Sequence, residues 1–106
     1  MLAVIGRGDE SLSELQDCLA IDPADLNARM LEGNLLAERR DTEHAAAAFR
    51  DVLRRKPKSA EAHNNLGLVW LNEGKIDLAR NEFREALKIQ PDYQAAQYNL
   101  NLAWGK

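Results

Sequence analysis

One interval organises this chain of 106 residues. Pro23, Pro57 and Pro91 stand 34 residues apart, and three further ladders keep the same spacing. They are Leu2, Leu36, Trp70 and Trp104; Ser11, Ala45 and Ala79; and Leu15, Phe49 and Phe83. Four ladders in one register mean that a unit has been repeated. A period of this length fits stacked pairs of helices, each pair too small to bury its own apolar face and each covered by its neighbours. The expected fold is all-α. A stack of this kind presents an extended surface, and the expected function is binding rather than catalysis.

Each period divides into two amphipathic helices. In residues 60–93, Ser59 is placed to cap a first helix running to about Asn72, its hydroxyl accepting an otherwise unpaired backbone N–H. Leu66, Val69 and Trp70 recur at helical spacing along that helix. Gly74 supplies a residue tolerant of positive φ where the helix stops. A second helix, about Ile76 to Ile89, carries Ile76, Ala79, Phe83, Ala86 and Leu87 on one face, and Pro91 ends it. Residues 26–59 repeat the plan, with Asp25 as cap and Ala45, Ala48, Phe49, Val52 and Leu53 as the second stripe. Arg40 takes the place of Gly74, so this turn is expected to rely on Asp41 or Thr42. Gly33 and Gly67 lie inside the first helices, where glycine costs about 0.5–1 kcal/mol relative to alanine. Their expected purpose is close helix packing.

The same register assigns the remaining residues. Residues 1–25 read as a partial repeat, mainly a second helix over 9–21 with Leu12, Leu15, Cys18, Leu19 and Ile21 apolar. Residues 94–106 read as a first helix that caps the stack, its Asn99-Leu100 and Trp104 echoing Asn65-Leu66 and Trp70. Together, 1–106 form one repeat domain: a partial repeat at 1–25, full repeats at 26–59 and 60–93, and the helix at 94–106. Cys18 shares a ladder with Val52 and Ala86, which places it as a buried structural thiol.

Composition narrows the function. An apolar content of 45% suits an ordered core, and a single cysteine excludes an internal disulfide. No run approaches the ~20 apolar residues of a membrane helix, so neither membrane insertion nor a secretory signal is expected, and a cytoplasmic location is the default. The net charge of -3 conceals a gradient. Residues 1–25 hold Arg7 against six acids, whereas residues 26–59 hold eight bases against five acids. The run Arg54-Arg55-Lys56 lies at a helix C-terminus, where cations complement exposed carbonyls, and the acidic overall balance argues against a nucleic-acid partner. One cysteine and two scattered histidines, His44 and His63, assemble no zinc site. His44 is expected to be a solvated residue near a helix start, and His63 has no acid at i+3 or i+4. No phosphate-binding glycine loop is present, and no cofactor or catalytic group is expected.

The motifs within the period carry a family resemblance. The tetratricopeptide pattern is W-x2-L-G-x2-Y, then A-x3-F, then P, over 34 residues. Leu66-Gly67, Trp70, Ala79-x3-Phe83 and Pro91 satisfy it, with His63 at the tryptophan position. The preceding repeat keeps Gly33, Leu36, Ala45-x3-Phe49 and Pro57 but has Arg29 and Glu32 where an aromatic and a leucine are usual. The chain resembles the tetratricopeptide repeat family over its whole length. That resemblance implies a right-handed superhelical solenoid of antiparallel helix pairs, whose first helices line a concave groove for an extended peptide or a partner's helix.

By the same resemblance, the groove would be lined by Asn27, Met30, Asn34, Asn64, Asn65, Leu68, Asn72, Tyr98, Asn99 and Leu102. An asparagine amide can donate to and accept from a peptide backbone at once. The same amides can instead serve neighbouring turns or face water. Chaperone-binding members of the family use Lys-x3-Asn, Asn and Lys-x3-Arg on successive first helices to clamp a terminal carboxylate. Here those positions read Met30-x3-Asn34, Asn65 and Ala95-x3-Asn99. Both asparagines are present and every cation is missing, so an acidic C-terminal peptide is not the expected ligand.

The alternative expectation is a self-assembling scaffold. The two half-repeats are expected to expose Leu12, Leu15 and Leu19 at one end and Leu100, Leu102 and Trp104 at the other. The C-terminal helix of one copy would then complete the N-terminal half-repeat of the next, a heterologous contact that gives a ring or a filament.

Overall fold

The computed structural model describes residues 13–14, 16–22 and 25–104. Residues 13, 14 and 16–21 are helical and are here called α1. Five helices follow: α2 (Leu26–Glu38), α3 (Thr42–Arg55), α4 (Ala60–Asn72), α5 (Ile76–Ile89) and α6 (Gln94–Trp104). No strand occurs among the described residues. The helices form a right-handed superhelical solenoid of antiparallel pairs, as the period implies.

The local signals act where the sequence puts them. The Asp25 carboxylate accepts from the Ala28 amide at 3.1 Å, and the Ser59 hydroxyl accepts from the Ala62 amide at 3.2 Å. Lys56 and Gln90, each just before a proline, take extended backbone at φ -137° and -135°, and the two second helices stop there. Both turns between paired helices are closed by the same two bonds. The Gly74 amide donates to Leu71 O and the Lys75 amide to Trp70 O. In the earlier turn the Arg40 amide donates to Ala37 O and the Asp41 amide to Leu36 O. This is a Schellman closure, which needs a left-handed residue. Gly74 provides it at φ +79° and Arg40 at φ +65°. The expectation that Asp41 or Thr42 would replace the glycine is therefore corrected: Arg40 itself takes the strained conformation, and Asp41 is the N-cap of α3.

Packing follows the ladders. Phe49 and Phe83 are fully buried, and each packs against the glycine of the preceding helix. A Cβ on Gly33 would stand 2.6 Å from Cε1 of Phe49, and one on Gly67 would stand 2.5 Å from Cε1 of Phe83. The glycines thus let the paired helices approach until the ring fills the gap. Leu36, Leu66, Val69 and Trp70 continue the same core from pair to pair.

Each helix packs on the next from α2 to α6, and α2 also touches α4, as α4 touches α6. By contrast, α3 and α5 make no contact with each other. The first helices are therefore drawn together on the inner side of the superhelix, and the second helices splay apart on the outer side.

Cys18 is exposed, which corrects its placement as a buried thiol. Its ladder partners Val52 and Ala86 are covered because α3 and α5 each lie between two first helices. Residues 1–12, which the repeat register places ahead of α1, lie outside the described residues. Leu12 and Leu15 are likewise outside them.

Candidate binding groove

Helical spacing sets which side chains share the inner face. Asn27, Leu31, Asn34 and Glu38 stand at i, i+4, i+7 and i+11 on α2. The same offsets on α4 give Glu61, Asn65, Leu68 and Asn72, and α6 continues with Ala95, Asn99 and Leu102. Met30, Asn64 and Tyr98 occupy the adjoining row.

Two hydrogen bonds cross this face between first helices. The Asn65 Nδ2 donates to Asn34 Oδ1 at 3.2 Å, linking α4 to α2. The Asn99 Nδ2 donates to Asn64 Oδ1 at 2.9 Å, linking α6 to α4. The two pairs differ in burial. Asn34 and Asn65 remain half-exposed, while Asn64 and Asn99 are buried. Asn64 is also hydrogen-bonded to Tyr93. Burial raises the Tyr93 hydroxyl above its usual pKa and the charge of Glu61 adds to this, with the Asn64 bond acting in the opposite sense. The expectation that Asn64 and Asn99 offer amides to a ligand is thus corrected. They form a satisfied polar bridge inside the helix stack, where an unpaired amide is costly.

The other residues of the expected groove divide by exposure. Asn27, Asn72, Tyr98 and Leu102 are exposed, Tyr98 at 64% and Leu102 at 42%. Met30 and Leu68 are half-buried and pack partly on the core. Leu31, absent from the expected set, is 52% exposed and stands 34 residues before Asn65. The ladder Leu31, Asn65, Asn99 could have placed it on this face from sequence alone.

Of the expected end contacts, Leu19 is buried within the chain and Leu100 packs half-buried against the core, so neither is a free apolar side chain. Leu100 occupies the ladder place of Leu66, which explains why it turns inward. Trp104 does stand exposed, at 56%, with the guanidinium groups of Arg80 and Arg84 over its ring at 4.1 and 5.3 Å. Arg80 also donates to the Ala103 carbonyl at 3.0 Å, tying down the end of α6.

Two hollows lie on the outer side, between successive second helices. One, of about 540 Å³, is floored by Leu66 and Trp70 and walled by Arg50, Leu53, Leu78 and Glu82. Arg50 lies over the Trp70 ring at 5.0 Å. Its counterpart one repeat earlier, of about 520 Å³, is lined by Arg29, Glu32, Leu36, Asp41, His44 and Asp51. Arg29 meets Glu32 at 3.1 Å and Asp51 at 3.7 Å, so the polar residues that depart from the repeat pattern neutralise one another.

Both histidines are engaged. His44 Nδ1 lies 2.9 Å from the Asp41 carboxylate on the surface. His63 meets an acid that sequence neighbours did not supply: Nδ1 is 2.8 Å from Glu82 Oε1 on α5, and Nε2 is 3.1 Å from Pro57 O. His63 thus straps α4 to α5 and to the preceding turn. Among the described residues no cluster of three metal-ligating side chains occurs, and no helix is long and apolar enough to cross a membrane.

A family model described as a tetratricopeptide repeat matches residues 30–94, and the chain belongs to that family. Among solved structures, a crystal structure of MamA is similar at a TM-score of 0.87 and 21% identity, with 97% of this chain and 60% of that one covered. A structure of YrrB, described as a TPR protein with an unusual peptide-binding site, matches at a TM-score of 0.84 and 26% identity, covering 92% and 50%. The first TPR of Spaghetti (RPAP3), bound to the HSP90 peptide SRMEEVD, matches at 0.88 and 14%, covering 94% and 79%. The chain spans half to three fifths of the MamA and YrrB chains. No curated protein matches it.

Proposed function

We propose that this chain is a protein-interaction module that holds a peptide or a partner's helix in the groove formed by α2, α4 and α6. One observation carries the reading. Leu31, Tyr98 and Leu102, three large side chains, stand exposed on one inner face beside the half-exposed Asn34 and Asn65. Apolar anchors supply affinity and amides supply backbone contacts, which is the division of labour found in peptide grooves. Binding a peptide is also what the YrrB and RPAP3 structures are described as doing. Residues 1–106 act in this reading as one repeat domain without a catalytic role. The missing cations at Met30, Ala95 and Asn99 set its ligand apart from the acidic peptide of the RPAP3 structure.

A peptide-array screen tests this reading. Captured sequences should lose binding to Leu102→Asp and Tyr98→Ala variants whose circular dichroism is unchanged. Binding that survives both changes places the contact elsewhere and refutes the groove.

A second reading, self-assembly, is favoured by Trp104. Its ladder partner Trp70 is 7% exposed and Trp104 56%, so the outer edge of α6 offers a copy of this chain an aromatic surface. Light scattering at high micromolar concentration decides it. A strict monomer excludes assembly, and an oligomer that persists in Trp104→Asp excludes this contact.

A further inference from the structure

The inner and outer faces differ in charge more sharply than the composition suggests. No lysine or arginine falls on the inner rows of α2, α4 and α6, although Arg39 and Arg40 follow Glu38 in the turn after α2. Arg29 is the only cation on α2, α4 or α6, and its guanidinium is engaged by Glu32 and Asp51 in the outer cleft. The second helices and the turns after them carry Arg50, Arg54, Arg55, Lys56, Lys58, Arg80, Arg84 and Lys88.

The inner face does carry carboxylates. Glu38 shares the α2 row with Asn27, Leu31 and Asn34, and Glu61 shares the α4 row with Asn65, Leu68 and Asn72. Both are exposed, and neither makes an ion pair with a described residue. The exposed Tyr98 ring adds a face that attracts cations. Leu31 and Leu102 supply the apolar contacts between these polar points.

We propose that the groove selects a protein segment in which lysines or arginines are interspersed with large apolar side chains. This inference rests on the groove reading above and specifies the partner's chemistry. Glu38 and Glu61 meet the cations, Tyr98 stacks under one of them, and Leu31 and Leu102 take the apolar side chains. An acidic segment meets two unpaired like charges here and is drawn instead to the arginines of the outer face. Each exposed pair is individually weak, so the selection comes from the reversal of sign, which makes an attraction into a repulsion at two points. The discrimination expected between otherwise matched segments is about tenfold at low salt.

The test uses two acetylated, amidated peptides with one leucine pattern, bearing lysine in one and glutamate in the other. Each is titrated by fluorescence anisotropy into the wild-type chain, into Glu38→Lys/Glu61→Lys and into Leu102→Asp. The lysine peptide should bind about tenfold more tightly to wild type at low salt, and the preference should shrink as salt screens it. The double charge reversal should invert it. A glutamate peptide that binds equally or better, or a preference unchanged by the double variant, overturns the charge selection. If Leu102→Asp still abolishes binding in that case, the groove reading stands without it. If Leu102→Asp has no effect, or neither peptide binds, the groove reading and the charge selection both fail.

Discussion

Residues 26–59 and 60–93 fold to the same pattern around different contents. In each, a glycine lies against a buried phenylalanine, Gly33 on Phe49 and Gly67 on Phe83, and each turn closes with the same two backbone bonds. Elsewhere the repeats diverge. Arg29, Glu32 and Leu36 stand where the later repeat has His63, Leu66 and Trp70. The earlier outer cleft is consequently polar and internally ion-paired, and the later one is apolar with a stacked arginine. The helix-pair geometry is therefore fixed by the glycine–phenylalanine contact and the turn, while the outer positions are free to change chemistry. The positions that close the pair keep one chemistry in both repeats, whereas the buried position of Leu66 in the floor of the later cleft holds Glu32 in the earlier one, where Arg29 pairs with it.

The largest effect should come from breaking that shared contact. Phe49→Ala and Phe83→Ala each remove a fully buried ring and should cost about 3–5 kcal/mol. If the contact is equivalent in both repeats, urea unfolding should place the two losses within about 1 kcal/mol of each other. The converse change, Gly33→Val or Gly67→Val, drives a side chain into a ring that has no room to withdraw and should cost about 1–3 kcal/mol or more. A near-neutral result in one repeat and a large loss in the other would show that the two pairs are held by different forces.

The turns sharpen the comparison at a smaller scale. Arg40 at φ +65° and Gly74 at φ +79° do one geometric task with opposite fitness for it. A left-handed residue with a Cβ carries a backbone cost that glycine lacks. Arg40→Gly should therefore stabilise the chain and Gly74→Ala destabilise it, each by about 1 kcal/mol. A Cβ on Gly74 would meet nothing within 4 Å, so only the backbone term is at issue there. Thermal melts of the two variants should move in opposite directions. Movement in the same direction would mean that Arg40 makes a compensating contact.

The ladders made the fold legible because a repeat registers the same packing decision more than once. The Ser59 cap and the Phe83 stripe could be read in one repeat and checked in the other against Asp25 and the Phe49 stripe, and the helix ends Asn72, Ile76 and Ile89 follow from caps, Gly74 and prolines. The left-handed Arg40 was not legible, since a turn forced by the flanking helices overrides the residue's own preference. Nor was the burial of Asn64 and Asn99. Their rows are set by helical spacing, but whether an amide faces a ligand or its counterpart 35 residues away depends on how closely the first helices approach. The pairing of His63 with Glu82 is similarly tertiary, joining residues 19 apart. Leu31 is the reverse case, since its ladder was present in the sequence and identified its face.

The smallest expected effect separates the repeats by pH. In the earlier one, Asp41 caps α3, and its carboxylate holds the His44 ring. In the later one, Lys75 and Leu78 occupy those positions, and α5 has no side-chain cap. The hydrogen bond to Asp41, followed by its charge and those of Glu43 and Glu32, raises His44 above its ordinary value of about 6.5. The same bond lowers Asp41 below the usual carboxylate range. A raised histidine contributes stability that is fully present below about 6.5 and is lost as pH climbs through the folded value. A lowered aspartate contributes stability that is present above about 4 and is lost as pH falls through its folded value. The pair therefore acts most strongly between about pH 4 and 6.5, and as an exposed pair it acts weakly. His44→Leu makes the earlier repeat match the later one at this position. The melting temperature of wild type should exceed that of His44→Leu by most near pH 5–6, and the gap should narrow as pH rises toward 8. A gap that holds constant or widens over that range would mean that the His44 charge takes no part in holding the start of α3.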